Sequence, residues 1–347
     1  MEKGHFTRQE IQSQPEAWAA ALKILDETRR SVLDLEPGRR FDSILYTGCG
    51  STYYLSLAAA ALTQELTGLP SRAFPASELW LYPQSCYVGR NAAPAHKTLL
   101  VAVSRSGETT ETLRACESFL KDGAGDLLTL SCYGDMPLAR MGALNIVLPS
   151  GQEQSVAQTR AFSTLYLGTL ALACLWAGRE DLFASLAKIP EAGTRLLKTY
   201  SSLAAGLGHD ASIDRFYWLG SGPRLGLACE LSLKMKEMSL SHSEPFHFME
   251  FRHGPKSMVT PSALTIGLCS TVNGPKETAV LEEVRAIGGR LLCIAEAGSE
   301  VRFESGLDEA VRNMLYLPVG QIIAFERSIS KGLDPDHPNN LDTVVKM

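Results

Sequence analysis

From Ser104 to Thr109 the chain reads Ser-Arg-Ser-Gly-Glu-Thr, with three hydroxyl side chains, a guanidinium and a glycine in six residues. This composition is suited to gripping an anion. The apolar run at 99–103 before it reads as a strand buried on both faces. After it, Leu113, Cys116 and Leu120 recur at spacings of three and four, the stripe of a helix. A strand-to-helix turn of this kind brings N–H groups, the positive end of the helix dipole and the hydroxyl donors to one point. Glycine lets an oxyanion approach the backbone closely. The plainer account is an ordinary turn in which Ser106 caps the helix. A second stretch has the parts for proton transfer. On the helix predicted after Leu225, Glu230, Lys234 and Glu237 fall at i, i+4 and i+7 and share a face, while Leu227, Leu231, Met235 and Met238 pack inward. Phe251-Arg252-His253-Gly254-Pro255 follows as a loop. A carboxylate, an ammonium that tunes it and an imidazole could supply acid–base catalysis. The alternative is a solvated, salt-bridged stripe with no chemical role.

The elements that must position these residues alternate between strand and helix. A helix is predicted over 14–35, a strand over 43–47 running into Gly48-Cys49-Gly50, then a helix over 54–68 and a strand over 71–76. Two glycines one residue apart after a strand match part of a dinucleotide fingerprint, but the third glycine is missing. Strands at 98–103, 126–131 and 144–148 follow, then one long helix over 154–176. The alternation predicts a doubly wound parallel sheet with its ligands at the carboxyl ends of the strands. The second half echoes the first. Strand 216–219 with Gly220-Ser221-Gly222 repeats 45–50 about 172 residues later; 264–270, the helix over 277–287 and strand 290–295 repeat 99–131; and 314–320 repeats 146–151. Where the first half has Ser104-Arg105-Ser106-Gly107, the second has Ser270-Thr271-Val272-Asn273, so the anion loop is expected in the first half only.

A chain of 347 residues is too long for one core and is expected to form two domains. Apolar content of 45% with 20% charged residues is that of a soluble globular protein. A net charge of −5 without runs of Lys or Arg argues against a nucleic-acid partner. Eight cysteines stand singly with no C-x-x-C pair, so neither a disulfide framework nor a zinc site is indicated. The amino-terminal stretch lacks the apolar core of a signal peptide, and the longest apolar stretch, 166–177, is shorter than a membrane span. The expectation is a cytoplasmic protein with no membrane partner.

Taken in order, the motifs are no longer independent. Gly48-Cys49-Gly50-Ser51-Thr52, Ser104-Arg105-Ser106-Gly107-Glu108-Thr109 and Val156-Ala157-Gln158-Thr159-Arg160-Ala161-Phe162 are followed by Leu233-Lys234-Met235-Lys236-Glu237, Arg252-His253-Gly254-Pro255 and Asp336-His337-Pro338-Asn339-Asn340-Leu341. Together they resemble the sugar isomerase (SIS) family, in particular the isomerase half of glucosamine-6-phosphate synthase. The opening Glu10-Ile11-Gln12-Ser13-Gln14-Pro15 is similar to the start of that half, and 251–257 is equally similar to the ketose/aldose isomerase and amino-sugar phosphate deaminase branch. The resemblance implies an α/β fold of two doubly wound parallel-sheet SIS subdomains, flavodoxin-like and three-layered. These divide as a helical segment over 1–36, a first subdomain with the phosphate loop over 37–195, and a second with the catalytic helix and tail over 196–347.

The resemblance also implies roles. Ser104, Arg105, Ser106 and Thr109 would bind the phosphate of a sugar 6-phosphate with Ser51 and Thr52 beside them, Arg105 adding a cation where the synthase has glutamine. Glu237 would move the proton between C1 and C2 through an enediol or enolamine, Lys234 lies one turn away, and His253 would help open the ring from across a homodimer interface with shared sites. No metal or other cofactor is implied. The synthase's glutaminase domain is not seen in this sequence, and Thr343 stands where its tail has a carbonyl-handling lysine. The expected activity is therefore aldose–ketose isomerisation or amine removal on a hexose or hexosamine 6-phosphate, rather than synthesis from glutamine. A non-catalytic sugar-phosphate sensor is the alternative, since SIS folds also serve as binding modules.

Overall fold

A strand with no polar alternation needs cover on both faces, and the five side chains of Leu99-Leu100-Val101-Ala102-Val103 are all fully buried. The computed structural model describes residues 2–89 and 96–344. The chain divides into two units. One comprises 16–153, 160–187 and the tail from 342; the other comprises 1–15, 154–159 and 188–341.

In the first unit, strands β1 (Ser43–Gly48), β2 (Ser71–Pro75), β3 (Thr98–Ser104), β4 (Gly125–Ser131) and β5 (Leu144–Val147) form a parallel sheet in the order β2-β1-β3-β4-β5. Helices α1 (Ser51–Thr67), α2 (Thr110–Asp122) and α3 (Arg160–Trp176) cover it. Alternation along β1 sends Leu45 toward Ala115, Cys116 and Phe119 of α2, and Tyr46 to the opposite face, where its hydroxyl meets Thr63 of α1 at 2.7 Å. Each fully buried Leu or Phe here contributes about 1.5–3 kcal/mol.

The second unit repeats the plan. Its strands β6 (Arg215–Leu219), β7 (His242–Phe246), β8 (Ala263–Leu268), β9 (Arg290–Ala295) and β10 (Val301–Arg302) are again parallel, in the order β10-β9-β8-β6-β7. Helices α4 (Ile189–His209), α5 (Pro223–Ser239), α6 (Gly274–Ala286) and α7 (Leu317–Ser330) accompany them. Val280, Leu281 and Val284 of α6 pack with Tyr217 and Leu219 on one face, and α5 packs on α7. Both units are thus doubly wound parallel α/β layers, as the sequence pattern predicted.

Four local expectations need correction. The helix expected from 154 begins at Arg160. Residues 154–159 belong to the other unit, where the Glu10 carboxylate accepts from the N–H groups of Gln154 (2.6 Å) and Ser155 (3.3 Å). The run 314–320 is not a strand: it is a 3-10 turn, Asn313–Tyr316, followed by the start of α7, and the fifth strand is the two-residue β10. Continuous burial all round makes such a run read equally as strand or helix. On α2 the buried face is Thr112, Ala115, Cys116 and Phe119, while Leu120 is exposed, because the bulkier Phe119 takes the core position. The helix over 14–35 divides into Gln14–Glu27 and Arg29–Leu33.

Candidate functional site

Both Gly-x-Gly stretches make one backbone turn. Gly50 takes φ 54° and ψ −121°, and Gly222 takes φ 58° and ψ −134°, a region essentially confined to glycine. A Cβ on Gly48 would lie 2.5 Å from Thr52 Oγ1, and one on Gly220 would lie 2.4 Å from the Arg224 carbonyl oxygen. The glycines therefore let a helix start press against the strand it leaves, which needs no third glycine. The Thr52 hydroxyl closes the first of these turns, accepting from the Cys49 N–H at 2.9 Å and donating to the Cys49 carbonyl at 3.0 Å. Burial raises the Cys49 thiol pKa, so this cysteine is held as a neutral thiol near Thr112.

β1 pairs with β3, with Thr47 opposite Ala102, so Ser51 and Thr52 share the carboxyl edge of the sheet with the 104–109 loop. That edge is where open parallel sheets hold their ligands. Ser104 Oγ accepts from the Gly107 N–H at 3.1 Å, and Gly107 sits at φ 71°. Ser106 Oγ accepts from the Glu108 N–H at 3.3 Å and lies 3.4 Å from Thr109 Oγ1. The N-cap of α2 is Thr109, so Ser106 is not a helix cap. Ser51, Thr52, Ser104, Arg105 and Ser106 are buried, and Thr109 is half-buried.

Arg105 has partners that sequence spacing could not show. Its guanidinium pairs with the buried Glu153 at 3.4 Å and donates to the Thr343 carbonyl at 3.1 Å. Glu153 in turn accepts from the Ala161 N–H at the start of α3. The loop, the exit from β5 and the tail are tied through one side chain.

In the second unit, α5 presents Leu227, Leu231, Met235 and Met238 inward, all buried. The charged stripe is not solvated. Lys234 and Glu230 have no side-chain exposure and lie 3.4 Å apart, and Lys234 donates to Glu237 at 2.5 Å. Only Glu237 reaches the surface, with its side chain 20% exposed. The series runs from a buried carboxylate through a buried ammonium to a half-buried carboxylate. His253 is exposed on the loop after the short helix Phe248–Phe251, and among the described residues its imidazole makes no hydrogen bond or ion pair. Lys346 lies outside the described residues.

Asp336, in the last motif, is buried. It accepts from the N–H of Phe6 (3.1 Å), the N–H of Thr7 (2.7 Å) and the Thr7 hydroxyl (2.7 Å), fastening the amino-terminal helix. Among the described residues no three His, Cys, Asp or Glu side chains are grouped to hold a metal ion, and no helix is long and apolar enough to cross a membrane.

Two parallel sheets of one topology, with an anion-suited turn at the carboxyl edge of one, define a two-unit doubly wound α/β protein. Residues 39–175 match the SIS domain. It is 28% identical over 368 residues to the isomerizing glutamine–fructose-6-phosphate aminotransferase of Bordetella parapertussis, covering 98% of this chain and 58% of that relative. The chain thus spans little more than half the length of that enzyme. The crystal structure of glucosamine-6-phosphate deaminase from Thermotoga maritima superposes with a TM-score of 0.80 at 26% identity, covering 98% of this chain and 99% of that one. Tagatose-6-phosphate ketose/aldose isomerase from Escherichia coli shares the fold, with a TM-score of 0.86 at 23% identity and coverage of 96% and 95%.

Proposed function

We propose that the chain is an enzyme acting on a hexose or hexosamine 6-phosphate, isomerising aldose and ketose or releasing an amine. In this reading Ser51, Thr52, Ser104, Arg105, Ser106 and Thr109 bind the phosphate, and the Glu153 and Thr343 partners of Arg105 also stiffen the loop. Glu237 takes the C1 or C2 proton α to the carbonyl or iminium, an enediol or enolamine forms, and the proton returns on the neighbouring carbon. Lys234 donates to Glu237 and holds its carboxylate in place. His253 opens the ring and comes from a second copy of the chain in a homodimer.

The observation that carries the reading is the form of the α5 series. A half-buried carboxylate held by the amine of a fully buried lysine is a group fixed in place, as a general base must be. The similarity to phosphosugar isomerases and deaminases supports the substrate class.

The test is hydrogen exchange at C1/C2 in D2O across a panel of hexose and hexosamine 6-phosphates, read together with ammonia release. Glu237→Gln is expected to lower exchange by about 10²–10⁴ while phosphosugar binding persists. Ser106→Ala is expected to raise KM by losing a charge-assisted hydrogen bond worth roughly 1.5–3 kcal/mol. Wild-type exchange in Glu237→Gln would reduce the stripe to a structural element. Unchanged phosphosugar affinity in Ser106→Ala would remove the loop from the site.

A further inference from the structure

The loop after β8 occupies in its sheet the place that the 104–109 loop occupies in the other, since β3 and β8 are the central strands of sheets with the same order. The turn itself is repeated. Ser270 Oγ accepts from the Asn273 N–H at 2.8 Å, as Ser104 Oγ accepts from the Gly107 N–H at 3.1 Å. Each loop then enters a helix of 13 residues, α6 or α2.

In the second loop, the backbone N–H groups meet carboxylates of the same chain. Ser270 N–H donates to Glu277 Oε2 at 2.6 Å, and the N–H groups of Thr271 and Val272 donate to Glu309 Oε2 at 2.8 and 3.3 Å. Two arginines more than nine-tenths buried complete the enclosure. Arg224 donates to Glu309 Oε1 at 2.6 Å and to Glu277 Oε1 at 3.3 Å. Arg312 donates to Glu309 Oε2 at 3.2 Å and to the Thr271 hydroxyl.

Burial works against the charge of Arg224, but Tyr316, Glu277 and Glu309 outweigh it and raise its pKa. Its Nε is buried without an acceptor, so the enclosure holds more donor capacity than its two carboxylates use. Two consecutive N–H groups, of Thr271 and Val272, and the guanidiniums of Arg224 and Arg312 converge on the Glu309 carboxylate, a donor set suited to a tetrahedral oxyanion, while Glu277 keeps the Ser270 N–H. Glu309 is the removable occupant. Its side chain is 21% exposed, and it sits on the four-residue helix Glu309–Arg312, whose cap is the separate Asp308.

We propose that the 270–273 loop is a second oxyanion cradle, of the class that takes inorganic phosphate or a phosphate monoester, closed in this chain by its own Glu309 carboxylate. The fold supplies two such cradles, and the sequence keeps one for external ligands.

Equilibrium dialysis with radiolabelled inorganic phosphate tests this on the full chain. Glu309→Ala is expected to bind one more phosphate per chain than wild type, and adding Arg224→Gln is expected to remove that extra phosphate. The wild-type stoichiometry reports on the 104–109 loop, and the increment reports on this one, so either can fail alone. A Glu309→Ala chain that melts cooperatively yet gains no phosphate overturns the proposal. Should that variant not fold, amide hydrogen exchange in wild type decides. The Thr271 and Val272 amides are expected to be protected by Glu309, and exchange at the rate of an open loop would overturn the assignment.

Discussion

Lys234 shows why spacing alone could not settle what the charged stripe is. An i, i+4 pair on a solvated face contributes about 0.3–0.5 kcal/mol, whereas removing one partner of a buried pair costs about 3–5 kcal/mol because the other charge is left in the interior. Glu230 and Lys234 have no exposure, so Lys234→Met is expected to lose about 3–5 kcal/mol in urea unfolding. Lys234→Met with Glu230→Leu should recover most of that loss, since both buried charges are then gone. A loss under about 1 kcal/mol in the single variant would mean that the ammonium finds water the structure does not give it. The same pairing bears on covalent chemistry. The Lys234 side chain has no exposure and its amine is paired with two carboxylates, which leaves it badly placed to attack a sugar carbonyl. Borohydride reduction in the presence of a ketose 6-phosphate should therefore leave no sugar adduct on Lys234, as peptide mass analysis would read. An adduct there would replace acid–base ring opening with an imine.

At the scale of elements, the turn glycines give the sharpest test. Gly50→Ala forces a side chain into a backbone region that costs about 1–3 kcal/mol, and its effect should appear both in urea unfolding and in the KM of any phosphosugar, because Ser51 and Thr52 start the helix that follows. An unchanged urea unfolding curve would show that the turn relaxes without loss. The strands and their order were legible because β1, β3, β4, β6 and β8 are short, mostly apolar runs ended by glycine or hydroxyl residues, and the two halves repeat the pattern. β10 was not legible, since two residues carry no periodicity. The start of α3 was missed because the Glu10 carboxylate, remote in sequence, takes the N–H groups of Gln154 and Ser155. In the site, the positions of the loop and the α5 stripe could be read from motif and spacing. The depth of Lys234, the Glu153 and Thr343 partners of Arg105 and the carboxylates filling the 270–273 loop could not, because burial and long-range pairing have no local signature.

At the scale of the whole molecule, the open question is whether one chain holds a complete site. His253 is exposed on its loop, while Glu237 is anchored to the buried Lys234, and no hydrogen bond or ion pair among the described residues joins the two. A proton-transfer group left in solvent is poorly positioned, because catalysis needs the imidazole held within hydrogen-bond reach of the sugar. A second copy of the chain is the simplest means of holding it, and a closed two-fold dimer would use the same surface on both copies. Mixing a Glu237→Gln chain with a His253→Asn chain tests this without knowledge of the interface. Each homodimer carries one lesion in both sites. Each heterodimer carries both lesions in one site and none in the other, so random exchange should restore about a quarter of wild-type activity. Sedimentation of the mixture, with one chain tagged, establishes that exchange has occurred. If heterodimers form and activity stays at the level of the separate variants, His253 serves the site of its own chain; a monomer in sedimentation would lead to the same conclusion.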